Sequence, residues 1–117
     1  MFKPYLQRIV ENCEGALSGV VMGLDGIAVD SFSKNRDIDM QTISMEFSFV
    51  LLQVRKAAEI LEVGALEEVA ICSESLTFLI RILNEEYFLG LALRPDGNFG
   101  KGRYLMRLAL SELRGQL

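Results

Sequence analysis

Residues 40–63 read MQTISMEFSFVLLQVRKAAEILEV. The run contains no Gly or Pro, is preceded by Asp39 and is followed by Gly64. An Asp side chain accepts hydrogen bonds from the free N–H groups that open a helix, and Gly adopts the left-handed conformation that ends one. The pattern predicts a helix of about 24 residues, roughly 36 Å long. Its apolar residues fall on two lines rather than one. Ile43, Phe47, Val50, Leu51, Val54, Ala58 and Leu61 recur every three or four residues, as on a face laid against a core. Met45, Phe49, Leu52, Ile60 and Val63 make a second line opposite the first. Only Lys56 breaks it, and a lysine stem also lies along apolar surface. Single exposed apolar side chains need no explanation, but a row of them at helical spacing is a contiguous patch of the kind that marks an interface. The first stripe is therefore expected on the chain's own core, and the second against another chain.

The flanking sequence supplies the sheet. After Gly64, three short apolar runs follow at 66–73, 76–83 and 87–93, the last two joined by Asn84-Glu85-Glu86, a hairpin connection. In 76–83, Phe78, Ile80 and Ile82 alternate with Leu79 and Leu83, so both faces are apolar and the strand is expected at the centre of a sheet covered on both sides. Arg81 interrupts this strand and is expected to reach an edge or pair with a carboxylate. The run 66–73 opens with Glu67-Glu68 and has the short apolar core Val69-Ala70-Ile71-Cys72, which suits an edge strand. Before the long helix, a polar loop over 33–39 follows two strands, 16–22 and 27–32, linked by Gly23-Leu24-Asp25-Gly26; the Asp-Gly pair is a strong hairpin signal. Residues 2–13 are amphipathic with Pro4 in the first turn, and 100–113 place Leu105, Met106, Ala109, Leu110 and Leu113 on an inner face, so a helix closes each end. The predicted order is α-β-β-α-β-β-β-α. It gives an α+β fold in which a five-stranded antiparallel sheet lies between the long helix and the two terminal helices.

Composition restricts what such a fold does. Residues 1–117 fit one domain with a sufficient core of its own. Half the residues are hydrophobic, 24% are charged, and the net charge is −4 with a pI near 4.8. Nucleic-acid binders carry a basic footprint, so no nucleic-acid partner is expected. No apolar run reaches the roughly 18 residues of a membrane span, and the N-terminal stretch has no continuous apolar segment of a secretion signal. Cys13 and Cys72 read as reduced, buried thiols of a cytoplasmic protein rather than a disulfide.

Catalytic chemistry is poorly provided for. Histidine is absent, which removes the commonest general base and metal ligand. Gly97-Asn98-Phe99-Gly100-Lys101-Gly102 resembles a phosphate-binding loop, but Pro95 stands where that loop needs its first Gly and Gly102 where it needs Ser or Thr. A Gly-rich turn into the last helix accounts for it. Glu67-Glu68 and Glu85-Glu86 sit at strand starts and turns, where solvated charge is ordinary. Arg55 and Lys56 are placed to salt-bridge a partner; a charge donated to a phosphoryl-transfer site is the bolder reading. No catalytic, cofactor or metal site is expected. A small-ligand sensor on such a sheet needs a cavity beneath a helix, and Phe47, Phe78 and Leu91 are large enough to fill it.

Three stretches together resemble the Roadblock/LC7 family: GALSGVVMGLDGIAVDSF at 15–32, the acidic DID before a two-faced long helix, and GKGRYLMRLALSEL at 100–113. The resemblance covers nearly the whole chain and is closest to single-domain prokaryotic members of the MglB type, without a long acidic tail. It implies a homodimer in which the strand holding Val69, Ala70, Ile71 and Cys72 pairs with its copy to make one ten-stranded sheet. It also implies that the paired long helices, carrying Met45, Phe49, Leu52, Lys56, Ile60 and Val63, form a platform for a Ras-like small GTPase. Some members of the family accelerate GTP hydrolysis without supplying an arginine, and others only scaffold GTPase complexes or link cargo to dynein.

Overall fold

The computed structural model describes residues 1–34 and 37–117. The expected 33–39 loop includes Asn35 and Arg36, which lie outside the described residues; Ser33 itself is the last residue of a strand. The elements follow the predicted order: α1 (Lys3–Glu11), β1 (Ala16–Gly23), β2 (Ala28–Ser33), α2 (Met40–Leu61), β3 (Glu68–Cys72), β4 (Thr77–Ile82), β5 (Tyr87–Leu93) and α3 (Phe99–Gly115). All pairings in the five-stranded sheet are antiparallel, in the order β2-β1-β5-β4-β3. β3 is an edge, as its polarity suits; β4, expected at the centre, is an interior strand, and the centre itself is β5, which is buried along nearly its whole length.

Strand alternation sends successive side chains into two separate cores. Leu79, Leu83, Leu89, Leu91 and Leu93 pack under α1 and α3 with Leu6, Val10, Met106 and Leu113. Phe78, Ile80, Phe88, Val20 and Met22 pack under α2 with Met40 and Leu51. The space beneath α2 is filled: the Phe47 and Phe78 ring centroids are 5.1 Å apart. Beneath α3 the filling is tighter still. Gly102 is buried, and a Cβ there would stand 3.1 Å from Leu91 Cδ2, so glycine at this position sets how closely helix and sheet approach. That is the structural use of the Gly-rich turn. The Asp-Gly hairpin forms as expected, with Gly26 at φ +88° and the Ile27 N–H donating to Asp25 Oδ1 at 3.0 Å.

Two features of α2 differ from the sequence expectation. Its inner face is rotated. Met40, Ser44, Ser48 and Leu51 are buried, Ile43, Phe47, Val54 and Ala58 are half-buried, and Val50 and Leu61, expected inside, are exposed. The two serines are small enough for the helix to lie close to the β1–β2 hairpin, and Ser48 returns its hydroxyl proton to the Met45 carbonyl at 2.6 Å, so close approach outweighs apolarity there. The helix also ends earlier than Gly64. Glu62 takes the left-handed conformation at φ 55°, and the Val63 N–H donates to the Ala58 carbonyl at 3.3 Å, the bond that closes a left-handed helix stop. At the other end the expected cap is present: Asp39 accepts from the Thr42 N–H at 3.1 Å and from its hydroxyl at 2.7 Å.

Candidate partner-binding surface

α2 turns its second stripe to solvent. Met45, Phe49, Leu52, Ile60 and Val63 are all exposed, Phe49 at 58% and Ile60 at 72%, and Lys56 is exposed among them. Toward the C-terminus of α2 the two stripes cease to differ, because Leu61 is as open as Ile60. The surface therefore runs along the outer face from Met45 and continues around the helix end. A cleft of about 970 Å³ opens beside that end, lined by Arg55, Val63, Leu66, Glu67, Glu85 and Arg114 among others. An aromatic ring and branched aliphatic side chains held at helical spacing on a rigid element can bury apolar area against a partner, with little left to order on binding.

The basic pair beside this stripe divides. Arg55 is half-buried, and its Nη1 donates to the Glu85 carbonyl oxygen at 2.8 Å, which ties α2 to the β4–β5 hairpin. Lys56 is exposed and has no hydrogen bond or ion pair among the described residues. Of the two, Lys56 is the one free to meet a partner.

The expected edge strand is where it was placed. Among the described residues β3 is hydrogen-bonded to β4 alone, so its other backbone edge is open. Val69 and Ile71 pack partly into the α2-side core, whereas Ala70 and Cys72 are exposed. This corrects the expectation for the thiols. Cys13 is buried, with its Sγ 3.3 Å from the Asn98 carbonyl oxygen, and burial pushes its pKa up; Cys72 is exposed. An apolar strand sequence signals burial only if both its faces are covered, and the α1/α3 layer leaves this part of β3 open. The helix stripe and the strand edge lie on neighbouring parts of the surface, since the connection 62–67 joins them directly.

Sequence reasoning missed one cluster. Glu68 stands opposite Arg81 in the β3–β4 register, and Arg103 of α3 reaches its carboxylate with Nε at 2.8 Å and Nη2 at 2.6 Å. That fork holds the Glu68 carboxyl below its ordinary pKa against the opposing effect of burial; the charges of Arg103, Arg81 and Arg107 add to it. Arg81 was expected to reach an edge or pair with a carboxylate; it stands across from Glu68 in register but makes no ion pair with it among the described residues, and its buried Nε has no hydrogen-bond partner. The signal available in sequence was an arginine every four residues in α3 at 103 and 107, which becomes meaningful only once β3 is placed beside it. No cluster of His, Cys, Asp and Glu among the described residues is arranged to hold a metal ion, and no helix among them is long and apolar enough to cross a membrane.

No family model and no curated protein matches this chain. Solved structures do. MglC from Myxococcus xanthus is 42% identical over 99% of this chain and 98% of its own, with a TM-score of 0.73. A Roadblock/LC7 domain from Streptomyces avermitilis superposes at a TM-score of 0.85, covering 96% of this chain and 93% of that one at 14% identity. An MglB with a tetrameric arrangement gives 0.84 over 96% and 84%, also at 14% identity. The fold is thus shared with all three, and among the Mgl proteins the sequence is nearer MglC than this MglB.

Proposed function

The chain belongs to the Roadblock/LC7 family, and from that premise we propose that it is a cytoplasmic, non-enzymatic, homodimeric adaptor that binds and regulates a Ras-like small GTPase. The observation that carries this reading is the exposed second stripe of α2, an apolar surface that the chain's own core leaves uncovered. Self-association is supported by the open edge of β3 and by the tetrameric arrangement of an MglB of the same fold. In this reading regulation works by binding and positioning, without an arginine finger. Lys56 remains a contact for the GTPase surface.

The test is capture of a Ras-like GTPase by the immobilised chain, in GTP- and GDP-bound states, with Phe49→Glu alongside. Retention that depends on the nucleotide and is lost in the variant is expected. The alternative is a scaffold subunit without a GTPase partner. In that case the same capture fails in both nucleotide states while the dimer persists. In either reading the isolated chain takes up no GTP in a calorimetric titration, since Pro95 and Gly102 stand where a phosphate loop needs other residues.

A further inference from the structure

The face of the molecule opposite α2 has a character of its own. α3 carries Lys101, Arg103, Arg107 and Arg114 against one acidic residue, Glu112, a net +3 in a chain whose net charge is −4. The remainder therefore carries −7, and the charge is segregated. Arg81, Arg103 and Arg107 line a cleft of about 410 Å³ beside the start of β3, with Glu67 and Glu68 in the same lining and Ala58 and Val63 of the α2 end at its rim. Glu68, also in that cleft, is spent on Arg103 through two hydrogen bonds. The buried Arg81 Nε has no acceptor, and Arg107 makes no hydrogen bond or ion pair among the described residues. Three guanidinium groups thus face two carboxylates, one of them already spent, and the buried Arg81 Nε is a donor for which a charge-assisted bond is worth more than in open water. Around the same helix, Tyr104 and Leu108 are exposed at 55% and 57%. They are one helical turn apart, and each leaves more than half its surface open.

We propose that this face docks an acidic segment of a partner protein, with a carboxylate seated among Arg81, Arg103 and Arg107 and an apolar side chain laid across Tyr104 and Leu108. Charge complementarity selects the occupant. A carboxylate matches the planar donor fork of arginine, and Arg103 and Arg114 are already fixed, the latter by donating from Nε to the Leu83 carbonyl oxygen at 2.6 Å. A rigid array of this kind suits a shaped ligand. An anionic membrane surface would meet the same cations, but it would also repel the −7 carried by the rest of the chain. The proposal does not rest on the GTPase reading, which is carried by the outer stripe of α2 around Phe49 and meets this cleft only at Val63.

The experiment is selection from a random displayed-peptide library on the intact chain, followed by anisotropy titration of the enriched peptides. Enrichment of peptides with Glu or Asp interleaved with aromatic or leucine residues is expected. Their affinity should fall about tenfold or more in Arg107→Glu and in a Tyr104→Ala/Leu108→Ser double variant, should weaken with salt, and should be unchanged in Phe49→Glu. All substituted side chains are exposed, and matching thermal melts establish that the variants fold. Absence of acidic enrichment, or equal binding by wild type and Arg107→Glu, overturns the proposal. So does co-sedimentation of wild type, but not Arg107→Glu, with phosphatidylserine-containing vesicles when no peptide responds, which assigns the face to a membrane. A loss of dimer mass in Arg107→Glu also overturns it, because the occupant is then a second copy of this chain.

Discussion

At the scale of single residues, the two thiols and one carboxylate report on the α1/α3 side of the sheet. Cys13 is enclosed by α1 and the start of α3 with its pKa raised by burial, whereas Cys72 looks out from β3. A thiol reagent should modify Cys72 quickly and Cys13 only slowly under native conditions, the two rates converging in denaturant, because the thiolate must be both formed and reachable. Mass spectrometry of the labelled chain reads this directly, and equal native rates would contradict the packing of α1. Glu68 gives a pH dependence. Its folded pKa is depressed from the ordinary 4.5, so its contribution to stability is present above that value and is lost as pH falls through the lower, folded pKa. Glu68→Gln should therefore lower the thermal midpoint at neutral pH, and its deficit relative to wild type should close as the pH is taken below 4.5. A deficit that stays constant with pH would assign the loss to packing instead of charge.

At the scale of elements, α2 decides most of what is argued about function, and a pair of phenylalanines two positions apart tests it. Phe47 packs on Phe78 over the sheet, while Phe49 stands in solvent. Phe47→Ala should destabilise the chain by about 3 kcal/mol, the low end for such truncations because the ring is only half-buried; urea unfolding measures it. Phe49→Glu should leave the unfolding midpoint of the single chain nearly unchanged and reduce association or GTPase capture. If the two behave alike, both stripes are core. The two-faced nature of α2 was legible because its period and its lack of breaks carry over eleven or more residues. Its rotation was not. A reading by hydrophobicity counts Val50 and Leu61 inward and passes over Ser44 and Ser48, although in a closely approached interface small size matters more than apolarity. The Asp-Gly hairpin and the two faces of β4 were legible for the opposite reason, since φ > 0 at Gly26 and strand alternation are dictated locally. The left-handed Glu62 was invisible, because a non-glycine residue rarely takes that conformation and Gly64 two positions on offered the ordinary stop. Likewise the Glu68–Arg103 fork joins residues 35 apart in sequence, a distance no local pattern spans.

At the scale of the whole molecule, the sheet has two edges, β2 and β3, and β3 lies next in the chain to the exposed C-terminal end of α2. An isolated chain leaves the N–H and C=O groups on that side of Glu68–Cys72 to water, and an exposed strand edge is a template for pairing. Pairing with the same strand of a second copy satisfies those groups by a two-fold operation, and it brings two α2 helices onto one face of a continuous sheet. Such a dimer should bury more than about 1,200 Å² in total, enough for stable association. Light scattering at micromolar concentration should give twice the 13.1 kDa chain mass, and a monomeric mass there would sink the assembly. The seam itself is located by hydrogen exchange. Amides of β3 that point away from β4 should be protected in the dimer and lose that protection on dilution, whereas those of β5, bonded on both sides within one chain, should stay protected at every concentration. Protection that follows concentration in β2 instead would move the seam to the opposite edge. It would also separate the paired strand from the C-terminal end of α2, so the exposed surface around Ile60, Leu61 and Val63 would need an occupant other than the second copy.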